Sequence, residues 1–243
     1  MPNIDYYEWY SHRINKNMGV VRYGHWGPPL IYFPTCGGNH GEFSYYGLQN
    51  DLRWFLDSGK IQIFCVDSTN METWYNPYIH PADRVNGGAA YESYIIEEVI
   101  PLIRNLAHND YIGCAGFSLG GYTSINMACR HPEIFRLAIS LGGVFDISDF
   151  LDGWHNDDVY FRNPVEYIAN MHEQWQQDCY RYHNRLILLG GANDPFVSST
   201  IGLHNLLNRQ GIVHHYEIWD PPCDHHEYWW KKQMPYLLGK FYM

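Results

Sequence analysis

The sequence predicts an α/β protein, with a mostly parallel sheet flanked by helices and an antiparallel hairpin at its start. Two observations support this fold class. Stretches with helical spacing alternate along the chain with short apolar runs, as a parallel sheet covered on both faces requires. A sharp strand-to-helix turn lies near the middle of the chain. The predicted strands are residues 30–33, 61–66, 111–115, 137–140, 185–189 and 214–219.

Turn residues and helical spacing predict the other elements. Two aromatic and β-branched runs, residues 6–15 and 18–23, form the predicted hairpin. Helical spacing predicts helices at 43–58 and 91–106, with Pro101 marking a kink or a boundary in the second, and residues 70–86 between them are expected to be irregular. Further helices are predicted to begin at residues 119, 163, 198 and 228.

Residues 144–163 are aromatic and acidic, and they show no clear period. A loop of this length in a compact domain is usually functional. We therefore expect a lid or a substrate-binding insertion here, within a single domain that spans residues 1–243.

The composition argues against several classes of protein. With 16 basic and 26 acidic residues, the formal net charge is −10, so a nucleic-acid partner is not expected. No apolar run reaches the length of a membrane span, and the first residues lack the pattern of a signal peptide. The six cysteines form no C-x-x-C pair, which indicates free thiols in a reducing compartment. We expect a cytoplasmic protein without a membrane partner, and homo-oligomerisation is left open.

The central motif is Gly116-Phe117-Ser118-Leu119-Gly120, which joins a predicted buried strand to a predicted helix. In this context G-x-S-x-G is the signature of a nucleophile elbow, a strained turn that exposes the serine hydroxyl above the sheet. Gly116 and Gly120 are expected where any Cβ would collide with a neighbouring element. The Leu119 N–H starts the helix and is a candidate oxyanion donor. Ser118 is the predicted nucleophile.

A glycine-rich loop, residues 34–40, directly follows another predicted strand. Such a loop can bring backbone N–H groups close to a ligand. We predict that the N–H of Cys36 or Gly37 is the second oxyanion donor. A nucleophilic role for Cys36 is less favoured, because no base signature accompanies it. Polar residues 67–69 end the next strand, at the edge where open α/β sheets bind ligands.

A serine nucleophile needs a base, and the base needs an orienting carboxylate. In hydrolases built on a strand–elbow–helix unit, the order along the chain is serine, acid, histidine. Asp194 follows the strand at 185–189, and His225 follows the last strand. Both are therefore expected at the same edge of the sheet as Ser118, and the predicted catalytic triad is Ser118, Asp194 and His225.

Some alternatives stay open at this point. His226 is the nearest rival as the base, and Asp146, Asp149 and Asp152 are earlier candidates for the acid. Five residues near the end of the chain have the composition of a metal site but no recognised ligand spacing. They are His214, His215, Asp224, His225 and His226. Neither a metal nor an organic cofactor is expected.

Nearly the whole chain resembles an esterase family of α/β-hydrolases, which includes esterase D-like carboxylesterases, feruloyl esterases and mycolyltransferases. Besides the elbow and its doubled Gly120-Gly121, the resemblance is carried by Tyr32-Phe-Pro-Thr-Cys-Gly-Gly38, Phe64-Cys-Val-Asp-Ser68, His131-Pro-Glu-Ile-Phe135 and Asp224-His-His-Glu-Tyr-Trp-Trp230. It implies the α/β-hydrolase fold and places the family's base on His225. The chain has His226-Glu227 where the family usually has Asp-Trp. The choice of His225 over His226 as the base therefore stays slightly open.

The residues and the resemblance together predict a serine carboxylesterase that acts on small-molecule esters through an acyl-enzyme. Two alternatives remain: an acyltransferase that uses the same triad, and a non-catalytic binding protein of this fold. Trp154, together with Trp74 and Tyr75, is predicted to shape an acyl or aryl pocket.

Overall fold

The computed structural model describes residues 3–171, 174–180 and 185–241, which form an eight-stranded sheet with helices around it. The strands are Ile4–Ser11 (β1), Lys16–Tyr23 (β2), Pro29–Phe33 (β3), Gln62–Val66 (β4), Ile112–Phe117 (β5), Phe135–Leu141 (β6), Arg185–Gly191 (β7) and His214–Trp219 (β8). Their order across the sheet is β1-β2-β4-β3-β5-β6-β7-β8. Strand β2 is antiparallel to both neighbours, and the other pairs are parallel. The predicted sheet and N-terminal hairpin are confirmed.

The central strands β3, β4 and β5 are buried along their whole length. Successive side chains of a strand point to opposite faces, so each strand contributes to two hydrophobic clusters. On β3, Ile31 and Phe33 belong to one cluster, and Leu30 and Tyr32 belong to the other. Burial on both faces explains why these strands are continuously apolar in the sequence.

The helices of the described residues cover both faces of the sheet. They are Glu42–Tyr45 (α1), Leu48–Asp51 (α2), Arg53–Asp57 (α3), Pro81–Tyr94 (α4), Ile100–Ala107 (α5), Leu119–Arg130 (α6), Asp157–Tyr160 (α7), Pro164–Tyr167 (α8), Gln174–Asp178 (α9), Val197–Arg209 (α10) and Glu227–Phe241 (α11). A π-helical turn, Ile95–Val99, joins α4 to α5, and short 3₁₀ turns lie at Ser148–Phe150 and Ile168–Asn170.

Two helix predictions are wrong in extent. The single helix expected at 43–58 is three short helices. Gly47 adopts a left-handed conformation (φ 76°) between the first two, and Leu52 departs from helical geometry (φ −99°, ψ 8°) between the second and the third. The stretch expected to be irregular up to residue 86 becomes helical at Pro81. There the His80 side chain accepts the Ala82 N–H at 3.1 Å and caps the helix.

The predicted boundary at Pro101 is confirmed. The π-helical turn ends just before it, and Pro101 lies in the first turn of α5. The missing N–H of Pro101 falls where the α-helical hydrogen-bond pattern is already interrupted, because the Ile100 N–H donates to the Ile95 oxygen across the π-helical turn.

The segment 144–163 is packed against the domain beside the elbow helix. Its side chains Ile147, Leu151 and Val159 are fully buried in a cluster that also contains Leu119 of α6. Arg84 of α4 donates to the Phe150 carbonyl oxygen at 2.6 Å and pairs with Asp152 at 3.0 Å. These contacts anchor the segment close to the carboxyl end of β5, and its movement as a lid stays a prediction.

Candidate active site

The turn between β5 and α6 has the strained geometry of an elbow. Ser118 has φ 54° and ψ −121°, a conformation that residues other than glycine rarely adopt. A Cβ at Gly116 would collide with the main chain of Gly120. One at Gly120 would collide with the Phe33 carbonyl at the end of β3. Glycine is therefore required at both positions, as the sequence predicts.

The loops after β7 and β8 are joined by backbone hydrogen bonds. The Ala192 N–H donates to the Trp219 oxygen at 2.9 Å, and the Asn193 N–H donates to the Cys223 oxygen at 2.8 Å. Gly191 allows this approach, because a Cβ there would collide with the Cys223 carbonyl. The residues that follow these contacts, Asp194 and His225, are thereby brought together.

Asp194 and His225 form a hydrogen-bonded pair. The distance between His225 Nδ1 and Asp194 Oδ2 is 2.9 Å, and the carboxylate is buried. The second carboxylate oxygen accepts the Phe196 N–H at 2.7 Å. An ionised carboxylate only accepts, so Nδ1 carries the proton and Nε2 is left as the basic nitrogen. The imidazole is in edge contact with Phe196 and Trp230, at centroid distances of 4.9 and 5.1 Å.

Gly142 connects the elbow to this pair. The Ser118 N–H donates to the oxygen of Leu141, the residue before Gly142, at 2.9 Å. A Cβ at Gly142 would lie 2.6 Å from Asp194 Oδ2 and 3.1 Å from His225 Nδ1. The main chain at Leu141 and Gly142 therefore accepts the Ser118 N–H and also lies against Asp194 and His225.

A second contact runs through aromatic rings. Phe117, directly before Ser118, stacks on Trp230 with centroids 4.8 Å apart and an interplanar angle of 12°. The edge of the His225 ring contacts the same indole. The carboxyl ends of β5, β7 and β8 thus bring Ser118, Asp194 and His225 to one edge of the sheet.

The backbone N–H groups of Cys36, Gly37 and Leu119 lie near the elbow and have no acceptor among the described residues. Within the described ranges, the Cys36 and Gly37 N–H groups donate to no protein acceptor. The Leu119 N–H is the first of α6 and has no intrahelical acceptor. Cys36 packs against the cluster that contains Leu119, which places these groups on neighbouring elements.

Sequence reasoning missed the polar side chains that hold the loop after β3. His40 Nδ1 lies 2.6 Å from Asp67 Oδ1, and Ser68 Oγ donates to the Gly38 oxygen at 2.8 Å. A buried carboxylate, Glu42, lies under the same loop. Residues 67–69 were predicted as polar groups at a ligand-binding edge, and the structure shows two of them bonded to this loop. No sequence signal identifies Glu42, because it falls beside a stretch whose pattern is that of a helix.

The predicted pocket residues differ in their exposure. Trp74 is only 7% exposed and belongs to the cluster under the segment 144–163. Tyr75 is 39% exposed and contacts the Phe150 ring at 5.2 Å. Partial burial raises the pKa of Tyr75, and the neighbouring Cys36 thiol raises it further. Trp154 packs edge-on against the His80 ring at 5.9 Å. Tyr75, Phe150 and Trp154 are partly exposed and are called the aromatic rim here. Phe150 and Trp154 pack against the cluster that contains the nearly buried Trp74.

Three of the four rival triad residues have other partners, and the fourth, Asp149, is an exposed residue of the 3₁₀ turn at Ser148–Phe150. His226 is exposed, and its Nδ1 lies 3.1 Å from Glu227. Partial desolvation opposes ionisation of Asp146, but hydrogen bonds from Ser148 and Asn163 outweigh it and lower the pKa of Asp146. Asp152 pairs with Arg84. The described geometry therefore favours His225 and Asp194 over these alternatives.

The histidines near the end of the chain bind separate partners. The His214 ring accepts a hydrogen bond from His204 or donates one to it at 2.7 Å, and His215 lies 2.5 Å from Glu217. Across the residues that the structure describes, no group of three or more His, Cys, Asp or Glu side chains could hold a metal ion. Burial, and then the nearby carboxylates of Asp194 and Asp224, raise the pKa of Cys223 to about 11, so it is a neutral thiol.

Comparison with known families identifies the chain at the level of family. The model of the family described as "Putative esterase" matches residues 63–241. The chain belongs to this esterase family. No curated protein matches the sequence. Within residues 3–171, 174–180 and 185–241, no helix has the length and apolar character of a membrane span.

Solved structures of similar fold come from several esterases and hydrolases. An S-formylglutathione hydrolase from Agrobacterium tumefaciens has a TM-score of 0.78 at 16% identity, covering 99% of this chain and 94% of its own. The fluorophosphonate-binding serine hydrolase F of Staphylococcus aureus has a TM-score of 0.76 at 14% identity, with 100% and 99% covered. A ferulic acid esterase has a TM-score of 0.75 at 16% identity, with 96% and 95% covered.

These comparisons confirm the predicted family and the α/β-hydrolase fold. Sequence identities of 14–16% show the fold alone, so they assign no substrate to this esterase-family protein. Any role for an individual site residue is therefore a proposal, which has to be argued from this chain's own geometry.

Proposed function

We propose that this esterase-family protein hydrolyses small-molecule carboxylic esters through a catalytic triad of Ser118, His225 and Asp194. The observation that carries the proposal is the hydrogen bond between His225 Nδ1 and the buried Asp194, next to a strained serine. An acidic partner on Nδ1 holds the imidazole in the tautomer that a general base requires. A strained serine at the start of a helix is the arrangement of an activated nucleophile.

The proposed reaction has two halves. His225 Nε2 takes the proton from Ser118 Oγ as the oxygen attacks the ester carbonyl. The tetrahedral intermediate collapses, the acyl–alcohol bond breaks, and the leaving alcohol takes the proton from His225. A water molecule then attacks the acyl-enzyme, with His225 again as the base, and releases the carboxylic acid and free Ser118. Asp194 stabilises the imidazolium that forms in both halves.

The oxyanion of each tetrahedral intermediate is assigned to backbone donors. One is the Leu119 N–H, which the dipole of α6 assists. The other is the N–H of Cys36 or Gly37, which has no protein acceptor in the described structure. Removing one such donor typically costs about 100- to 1,000-fold in kcat.

The acyl group is assigned to the aromatic rim beside Cys36. Tyr75 and Phe150 contact each other there, and Trp154 packs against the same cluster. Aromatic side chains provide a large apolar surface for an acyl chain or ring. Trp74, which is nearly buried, supports this wall.

Hydrolysis of p-nitrophenyl esters tests the proposal. We expect the wild-type protein to release p-nitrophenol from a series of acyl chain lengths, and we expect Trp154→Ala to shift the preferred length. A Ser118→Ala preparation controls for contaminating esterases. A folded wild-type protein without activity on any member of the series would contradict the proposed function. An unchanged length profile in Trp154→Ala would contradict only the assignment of the acyl site.

Asp194→Asn is expected to lower kcat for these esters by about 10⁴-fold, because an amide can hold His225 in the wrong tautomer. The change keeps the shape of the side chain, so the protein should remain folded. Asp224→Asn is the matched control, because that carboxylate is exposed and adjacent in sequence to His225. If both variants kept wild-type kcat, Asp194 would not be the orienting acid.

A further inference from the structure

The loop that supplies the proposed oxyanion donors rests on Glu42, a buried carboxylate that no step of the mechanism uses. Glu42 is 7% exposed. The Tyr32 hydroxyl donates to its Oε1 at 2.6 Å. The Thr35 N–H lies 3.0 and 3.1 Å from its two oxygens, and the Thr35 hydroxyl donates to Oε2 at 2.5 Å. Each of these partners is a donor, so the site is built for an acceptor.

Among the residues that the structure describes, none supplies a compensating cation to Glu42. Within the described ranges it forms no ion pair, and the titratable groups that face it are Tyr32, Tyr46 and Cys65. Burial raises the pKa of each of these three groups, so all are neutral at physiological pH. Burial raises the pKa of Glu42 above its ordinary value, and the hydrogen bonds from Thr35 and Tyr32 offset only part of this rise. Donors alone therefore stabilise its charge.

The loop wraps closely around this carboxylate. A Cβ at Gly38 would collide with Glu42 Oε2, so only glycine lets the main chain pass. The Gly38 N–H donates to the Thr35 oxygen at 3.1 Å and closes a turn. Cys36 and Gly37 are the two central residues of that turn. Glu42 thus binds the first residue of the turn and touches the last.

We infer that Glu42 is a positioning residue, which fixes the turn at residues 35–38 so that the Cys36 and Gly37 N–H groups face the oxyanion. The inference rests on the proposed function. A buried carboxylate without a cation is costly to retain. The Thr35 N–H and hydroxyl that it binds belong to the loop whose free N–H groups adjoin the nucleophile, and its third donor, the Tyr32 hydroxyl, is on β3 just before that loop. A role limited to stability would place no requirement on the geometry of that loop.

Glu92 provides a comparison within the same chain. It is buried to a similar degree, at 8% exposure, but it pairs with Arg130 at 2.8 Å and with His131 at 2.7 Å. Arg130 is the last residue of α6 and His131 follows it, so both partners lie at the opposite end of this helix from the elbow. Removing the charge of Glu92 therefore perturbs a buried ionic group without a direct effect on the turn.

Glu42→Gln and Glu92→Gln test the inference together. The Thr35 N–H can only donate, and it lies within 3.1 Å of both Glu42 oxygens, so in Glu42→Gln it faces the amide NH2 in either orientation and we expect the turn to shift. A displacement of about 1 Å at a reacting centre can cost about 100-fold, so we expect kcat for p-nitrophenyl acetate to fall about 10- to 100-fold with KM nearly unchanged. Glu92→Gln should lower the unfolding temperature but leave kcat unchanged. Equal kcat in the wild type and Glu42→Gln would overturn the inference.

Tyr32→Phe is the second variant, and it keeps the test decisive if Glu42→Gln does not fold. It removes one donor to Glu42 and retains the ring that packs against Phe43 and Phe117. We expect a smaller fall in kcat, about three- to tenfold, again without a change in KM. An unchanged kcat in this variant would contradict the inference. If the wild type itself neither hydrolyses esters nor reacts with a fluorophosphonate at Ser118, the proposed function fails and the inference falls with it.

Discussion

Ser118→Ala is expected to lower kcat for p-nitrophenyl ester hydrolysis by about 10⁶-fold, the loss found when a triad loses its nucleophile. Only the Oγ atom is removed, and alanine tolerates the positive φ of this turn about as well as serine does. The fold should therefore be preserved, which thermal unfolding can verify. The measurement is initial-rate kinetics on the ester of highest wild-type activity.

Ser140→Ala is the matched control for this loss. Ser140 lies at the end of β6, is buried, and its hydroxyl has no hydrogen-bond partner among the described residues. A Cβ at Gly121 of the elbow helix would collide with that hydroxyl, so the two serines are near neighbours. We expect Ser140→Ala to keep its activity. If Ser118→Ala retained more than about one hundredth of the wild-type kcat, a nucleophilic role for Ser118 would be contradicted.

His225→Ala is expected to cause a loss of the same order, about 10⁶-fold in kcat, because the triad acts as a unit. Without the imidazole, Ser118 cannot lose its proton as it attacks, and the leaving alcohol has no acid. His226→Ala is the control, since His226 is exposed and lies beside Glu227 rather than Asp194. Its kcat should stay close to that of the wild type.

The pair of histidine variants also decides which residue is the base. Loss of activity in His226→Ala with retention in His225→Ala would move the base to His226 and contradict the proposed triad. The His225 ring contacts Phe196 and Trp230, so its removal could also loosen the loop after β8. Thermal unfolding of both variants separates that effect from catalysis.

The parts of the site predicted from the sequence are those that depend on local chain geometry. The elbow is visible because Gly116 and Gly120 must lack a Cβ and because the flanking strand is apolar. Asp194 and His225 were found because they follow strands, and parallel strands present their carboxyl ends at one edge. Chain order and strand position were therefore sufficient for the triad candidates.

The parts that could not be predicted depend on tertiary partners. Glu42 is exceptional only because Tyr32 and Thr35 point at it, and neither distance along the chain nor residue type shows this. His40 and Asp67 are 27 residues apart, and their contact follows from the adjacency of β3 and β4. Long-range contacts of this kind leave no periodic signal in one sequence.

Local conformation explains the helices that were predicted with the wrong extent. Gly47 breaks the helix expected at 43–58 because it adopts a left-handed conformation. The sequence does not reveal this break, because a helix can also continue through a single glycine. The start of α4 at Pro81 was missed because the preceding stretch is rich in aromatic residues and proline. A proline at the first helical position and Asp83 in the first turn were the available signals.

Labelling with a fluorophosphonate, followed by intact-mass and peptide analysis, tests the central claim most directly. The probe reacts with a serine only when a base and an oxyanion site activate it. We predict one adduct per chain, located on Ser118, with no adduct in Ser118→Ala and a strongly slowed reaction in His225→Ala. A folded wild-type protein that forms no adduct, or forms it on a residue other than Ser118, would contradict the proposed serine mechanism.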